Sequence, residues 1–124
     1  MKLRIKANSI RIRLTKTEVS TLANTGYLEE QTWFINNKFV YAVQSVENGN
    51  ELSASLDAYK ITLYVSRSLL KDWPVNEVVG FNARMPVAEN GSLYLLLEKD
   101  FVCLDETTED QSDNYENPNK TLKT

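Results

Sequence analysis

Apolar and basic residues alternate along the first fourteen positions of the chain, in the segments KLRIK and SIRIRL. A period of two is typical of β-strands with one buried face, so the pattern predicts a hairpin. We expect its turn at Asn8 and Ser9, which gives the opposite pairs Lys6 with Arg11, Ile5 with Ile12, Arg4 with Arg13 and Leu3 with Leu14. A shift by one residue would place isoleucine against arginine, so we expect a well-determined register. The apolar face is expected to be core: Leu3, Ile5, Ile10, Ile12 and Leu14.

The segment after the hairpin carries signals for the start and the end of a helix. Thr15 is followed three residues later by Glu18, which is the spacing of a capping box, and Gly26 can end the helix in a left-handed conformation. Val19 and Leu22 give the segment one narrow apolar stripe. We therefore predict a helix of about three turns that lies against a sheet.

Short runs rich in β-branched and aromatic residues continue after Gly26, separated by turns rich in Asn and Gly. A second short helix is predicted between Ser66, which can cap it, and Pro74, which cannot continue it. The helices are too few for alternating parallel units, and no internal repeat is visible. The pattern predicts an α+β protein, with a curled antiparallel sheet or small β-barrel of about eight strands and two short helices.

The composition divides the chain of 124 residues into two parts. Residues 1–104 hold 12 Lys and Arg against 11 Asp and Glu, whereas the next stretch is acidic and almost free of apolar residues. Such a stretch cannot offset its ordering entropy by burial. We predict one globular β-rich domain over 1–104 and an acidic, disordered tail over 105–124. The low pI then belongs to the tail and not to the folded body.

The sequence lacks the residues that several kinds of catalytic and metal-binding sites require. The chain has no histidine, which removes the commonest acid–base group and the usual nucleophile pairs. No phosphate-binding glycine loop and no metal-ligand spacing occurs, and the only cysteine, Cys103, lies among apolar residues, so we expect an inert thiol. We predict no catalytic residue, no metal and no cofactor. No apolar run approaches the roughly 18 residues of a membrane span, so we predict a cytoplasmic protein without membrane contact.

The hairpin also provides the candidate binding site, which consists of Lys2, Arg4, Lys6, Arg11 and Arg13. Like charges opposite each other destabilise a hairpin by up to about 1 kcal/mol per pair, so they need compensation. Three sources are open: carboxylates of a neighbouring strand such as Glu29, Glu30, Glu98 or Asp100, an anionic ligand or acidic protein surface, and the acidic tail. Arginine suits the second source, because its planar fork matches phosphate and carboxylate groups.

The opening MKLRIKANSIRIRLTKTEV, with ELSAS at 51–55 and EKDFVCLD at 98–105 before an acidic tail, resembles an uncharacterised family of short bacterial proteins. The resemblance implies a single domain and assigns no activity, cofactor or site residue. We expect a non-enzymatic binding or protein-interaction module. The alternative is a small barrel enzyme for phosphorylated or carboxylated small molecules, which would need several charged side chains pointing inward. The neutral body and acidic tail argue against nucleic acid as the partner.

Overall fold

The computed structural model describes residues 1–47, 49, 51–89, 91–101, 113 and 115. These residues form eight strands and two helices, as the sequence pattern predicts. The strands are β1 Lys2–Lys6, β2 Ser9–Leu14, β3 Tyr27–Trp33, β4 Lys38–Val46, β5 Ser53–Asp57, β6 Lys60–Ser66, β7 Gly80–Pro86 and β8 Ser92–Lys99. The helices are α1 Lys16–Thr25 and α2 Arg67–Leu70.

Both predicted helix starts are confirmed. Thr15 caps α1 and forms the reciprocal capping box with Glu18, and Gly26 ends the helix with a left-handed φ of 82°. Ser66 caps α2 through a hydrogen bond from the Ser68 amide. Each cap satisfies amide groups that have no partner inside the helix, which is why these short helices begin where they do.

The strands form two four-stranded sheets. We call β1-β2-β8-β7 sheet 1 and β3-β4-β6-β5 sheet 2. The outer pairs of each sheet are antiparallel, as predicted, whereas the central pairs β2/β8 and β4/β6 are parallel. Both sheets are therefore mixed, and over the described residues they do not close into a barrel. The sequence pattern misses the parallel pairs because other strands lie between their partners along the chain, so no tight turn marks the pairing.

The two halves of the chain repeat one order of elements, hairpin, helix and hairpin. Each half gives one hairpin to each sheet. The first hairpin of the first half lies in sheet 1 and the first hairpin of the second half lies in sheet 2, so equivalent elements occupy opposite sheets. Ala7 and Ala58, separated by 51 positions, are the first residues of equivalent turns and both have positive φ, of 47° and 53°. The helix caps Thr15 and Ser66 have the same separation. The repeat is invisible in the sequence because equivalent positions share conformation and burial and seldom residue type.

One hydrophobic core lies between the two sheets and the helices. It includes Ile12 and Leu97 from sheet 1 and Val43 and Leu63 from sheet 2, all fully buried. Leu22 of α1 packs into the same core. Because both sheets and both helices contribute to one core, the described elements stabilise each other.

The register of the first hairpin differs from the prediction. The turn is Ala7 and Asn8, and the pairs are Lys2 with Arg13, Leu3 with Ile12, Arg4 with Arg11, Ile5 with Ile10 and Lys6 with Ser9. This is a shift of two residues, which keeps apolar residues opposite apolar ones, so alternation alone could not exclude it. Ser9 is not in the turn because it extends β2 and its hydroxyl donates to the Lys6 carbonyl at 2.7 Å.

Burial of the predicted apolar face is confirmed for Ile10, Ile12 and Leu14. Leu3 is half-buried. The predicted burial of Ile5 is wrong, since this residue is 55% exposed. Leu56, the equivalent residue beside the second turn, is also exposed. Both hairpins therefore extend past the core at their turns, where the opposite sheet no longer covers them.

The start of β7 offers a test of the packing of sheet 1. A Cβ on Gly80 would lie 2.3 Å from the Leu97 carbonyl oxygen and 2.8 Å from the Glu98 Cα. These are backbone atoms of β8, so relief requires the two strands to separate. We expect Gly80→Ala to lower the free energy of unfolding by about 1–3 kcal/mol in urea denaturation. Gly91→Ala is the control, because its nearest atom is 3.9 Å away; equal stabilities of the two variants would contradict the β7–β8 packing.

The predicted domain boundary, Cys103 and most of the predicted tail lie outside the described residues. Two tail residues are described. Tyr115 bridges to Phe101, and Asp113 binds the start of α1. No helix among the described residues has the length and apolarity needed to cross a membrane.

Candidate functional site

The outer face of sheet 1 collects basic residues from three strands. Residues paired between neighbouring strands point to the same side of a sheet, and the inward positions, such as Ile12 and Leu97, are buried. The opposite side is therefore the outer one. We call it the basic face, and it consists of Lys2, Arg4, Lys6, Ser9, Arg11, Arg13, Gly80, Asn82, Arg84, Tyr94, Leu96 and Glu98.

All five predicted site residues lie on this face, and the fold adds others that the sequence analysis missed. Arg84 joins them because β7 pairs with β8, which itself pairs with β2. Tyr94 lies on the outer side as well, and the Arg84 guanidinium sits 5.4 Å from its ring centre. Alternation along β7 is a signal that Arg84 points outward, but only the strand order places it on the same face as the hairpin, with β8 between them.

Two carboxylates compensate one end of the basic face. Glu98 Oε1 lies 2.8 Å from the Arg13 Nε and 3.7 Å from the Arg11 Nε. Asp100 Oδ2 lies 3.2 Å from the Lys2 Nζ, and its side chain is almost fully buried. Of the three sources of compensation considered from the sequence, the neighbouring strand is therefore in use, through Glu98 and Asp100.

Glu29 and Glu30, the other two carboxylates considered, lie on sheet 2 and serve other partners. Glu29 accepts hydrogen bonds from Gln31 and Tyr27, which hold its pKa below the usual value. Glu30 accepts from the Tyr41 hydroxyl at 2.9 Å. The two side chains point to opposite sides of β3, so they cannot act as a catalytic pair on one substrate.

The other end of the basic face has cations and little negative charge. Arg4 lies directly opposite Arg11, and Lys6 and Arg84 lie at the turn end of the same face. Among the described residues, no carboxylate forms an ion pair with Arg4, Lys6 or Arg84. This end, which we call the open end, holds positive charge that the described part of the protein leaves uncompensated.

The second half of the chain shows what the fold needs at these positions. The residues equivalent to the five hairpin cations are Ser53, Ser55, Asp57, Thr62 and Tyr64. The same hairpin, with the same pairing and the same positive φ in its turn, therefore forms without cations at these five positions; its one cation, Lys60, stands where the first hairpin has Ser9. The basic residues of the first hairpin are not required by the architecture.

Lys99 is a buried cation on the other side of sheet 1. Its side chain is 4% exposed, its Nζ donates to the Asn76 carbonyl at 2.8 Å, and the rings of Trp73 and Tyr115 flank it. Burial lowers the pKa of Lys99. Lys99 and Asp100 are the buried charged residues of the described chain.

The two described tail residues bind near α1. Asp113 Oδ1 accepts from the Thr17 amide and hydroxyl at 3.3 and 3.0 Å, and hydrogen bonds from the hydroxyls of Thr15 and Thr17 lower the pKa of Asp113. The Tyr115 amide donates to the Asp100 carbonyl. Neither residue forms a described contact with Arg4, Lys6 or Arg84.

The described residues contain no group of three or more His, Cys, Asp or Glu side chains that could hold a metal ion. Comparison with curated proteins and with solved structures gave no significant match. A family of unknown function, DUF7009, matches residues 1–119, which include the basic hairpin and both sheets. The chain therefore belongs to this family of unknown function, DUF7009.

Proposed function

We propose that this protein is a non-enzymatic binding module whose basic face takes an anionic partner. The observation that carries the proposal is the open end, where Arg4, Arg11, Lys6 and Arg84 share two neighbouring rows on one side of sheet 1 without a close described carboxylate apart from Glu98, 3.7 Å from Arg11. Directly opposed arginines are unfavourable in the free protein. A phosphate or carboxylate group between them would reverse this repulsion, because guanidinium groups bind such anions through paired hydrogen bonds.

The comparison between the two halves supports a functional origin of this charge. Serine and threonine occupy the positions equivalent to Arg4 and Arg11, and that hairpin keeps the same geometry. The apolar interior supports binding at the surface over catalysis inside a barrel. Glu98 and Asp100 lie near Arg13 and Lys2, so the positive charge without a nearby carboxylate is limited to the other end of the face. The candidate site is therefore small.

The test replaces the central arginines with the residues of the other hairpin. We expect the double variant Arg4→Ser/Arg11→Thr to fold and to bind inorganic polyphosphate at least about tenfold more weakly, because hydrogen bonds to charged groups contribute roughly 1.5–3 kcal/mol each. The measurement is isothermal titration calorimetry of the full chain at two salt concentrations. The wild-type affinity should fall with salt, since exposed charges are screened.

The matched control removes two cations from elsewhere. Lys38→Ser/Lys71→Ser has the same change in net charge, but Lys38 is half-buried, Lys71 is exposed, and both lie outside sheet 1. We expect this variant to bind polyphosphate like the wild type. Equal losses in both double variants would show that only net charge matters, and no binding by the wild type to either polyphosphate or polyglutamate would end the proposal.

A further inference from the structure

We infer that the anionic partner of the basic face is single-stranded nucleic acid, with Tyr94 as the stacking surface for a base. The inference rests on the proposed function and names the partner class. Tyr94 stands on the central strand β8, in one row with Ser9 and Arg84. Arg4 and Arg11 occupy the next row, about 7 Å along the strands at the usual rise per residue.

The face combines an aromatic ring with separate cations, and this combination favours nucleic acid over other anionic partners. A compact anion or an acidic side chain needs charge alone, whereas a nucleic acid strand offers phosphates and the flat faces of its bases. Tyr94 is half-buried, and the Arg84 guanidinium lies over its ring, 5.4 Å from the centre, so the two groups form a stacked pair against which a base can pack. Bases stack on tyrosine rings and on arginine planes, and this contact accepts any base.

The geometry of the face favours a single strand over a duplex. The face is one side of a four-stranded sheet, and no described helix or strand projects from it to enter a groove. Bases that are already unpaired can lie flat on such a sheet while their phosphates meet the flanking cations. The polar side chains of Ser9 and Asn82 border the ring and can hydrogen-bond to base edges.

Net charge argued against nucleic acid in the sequence analysis, but the distribution of charge changes that argument. Charges separated by more than about 8 Å are largely screened at physiological salt, so a bound strand responds to the local face. Of the outward side chains on this face, Glu98 is the acidic one, and it lies beside Arg13, away from the row of Tyr94. The uncompensated area covers two rows of residues, which fits a contact with a few nucleotides.

The repeat between the two halves of the chain suggests which residue should replace Tyr94. The Tyr94 amide donates to the Asn8 carbonyl, and in the second half the Val40 amide donates to the Tyr59 carbonyl, so valine stands at the equivalent position. Tyr94→Val removes the ring and keeps a residue that this strand environment accepts. Tyr64→Val, on the outer side of sheet 2, is the control for loss of one tyrosine.

The experiment measures fluorescence anisotropy of labelled single strands of about 12 nucleotides, DNA and RNA, together with calorimetry of inorganic polyphosphate. We expect Tyr94→Val to weaken oligonucleotide binding by roughly fivefold to a hundredfold and to leave polyphosphate binding unchanged. Tyr64→Val should change neither, and Arg4→Ser/Arg11→Thr should weaken both.

Four results would overturn the inference. If Tyr94→Val changes neither ligand, or if a polyglutamate binds more tightly than the oligonucleotide, the partner is not a nucleic acid, while the proposed anion-binding function stands. If a duplex of the same sequence binds more tightly than the single strand, stacking is not the mode of recognition. If the oligonucleotide, polyphosphate and polyglutamate all fail to bind the wild type, both the inference and the proposed function fail.

Discussion

Trp73→Ala is expected to lower the free energy of unfolding by about 3–5 kcal/mol, the usual range for removing a buried aromatic side chain. Trp73 lies between α2 and β7, is fully buried, and stacks on Phe81 with ring centres 4.9 Å apart. Its Nε1 donates to the Val78 carbonyl at 2.8 Å. The alanine variant would leave a cavity and an unpaired carbonyl, because the segment from α2 to β7 folds around this ring.

The measurement is urea denaturation followed by circular dichroism. The chain has two tryptophans, and Trp33→Ala is the control, because Trp33 is 70% exposed and its closest described aromatic interaction is with Lys38. We expect Trp33→Ala to stay within about 0.5 kcal/mol of the wild type. A Trp73→Ala loss below about 1 kcal/mol would mean that the segment before β7 is not part of the core.

Ile12→Ala is expected to cost about 2–5 kcal/mol. Ile12 is fully buried at the centre of β2, where Leu3 lies opposite it on β1 and Leu97 on β8. These neighbours are held by two different strands of the sheet and cannot move together to fill the space, so a cavity should remain.

Ile5→Ala removes the same atoms from the same hairpin and is the control for Ile12→Ala. Ile5 is 55% exposed, so its loss should cost less than about 1 kcal/mol. The ratio of the two effects therefore tests the observed register and the position where the core ends. Similar losses for both variants would show that the hairpin extends no further than the core.

Sequence reasoning predicted the local structure well for definite physical reasons. Caps such as Thr15 with Glu18, and the left-handed stop at Gly26, depend on groups within a few residues, so the chain signals them locally. The alternation in β1 and β2 assigned the inner and outer faces, and with them the five basic residues of the outer face. The turn was placed one residue too late, which shifts the pairing by two residues, and alternation could not detect this because both registers pair like with like.

Only part of the candidate site could be predicted from the sequence. Lys2, Arg4, Lys6, Arg11 and Arg13 share a short segment, so their common face follows from alternation alone. Arg84, Tyr94 and Glu98 join them through the β7/β8 pair, which a turn signals locally, and through the parallel β2/β8 pair, which no local pattern encodes. The same pairs decide which positive charges have a nearby carboxylate. They place Glu98 beside Arg13, whereas Arg4 has no described carboxylate partner.

The sequence by itself determined the strands, the helix caps and the two-sided character of the first hairpin, since these depend on neighbouring residues and on the period of two. Only the tertiary structure decided that the strands divide into two mixed sheets and that the two halves of the chain repeat each other. Parallel partners such as β4 and β6 meet because both bury apolar residues in one core, and apolar burial has no direction that a sequence could display. The basic face is a consequence of that assembly, because it needs residues 80 and more positions apart to lie on adjacent strands.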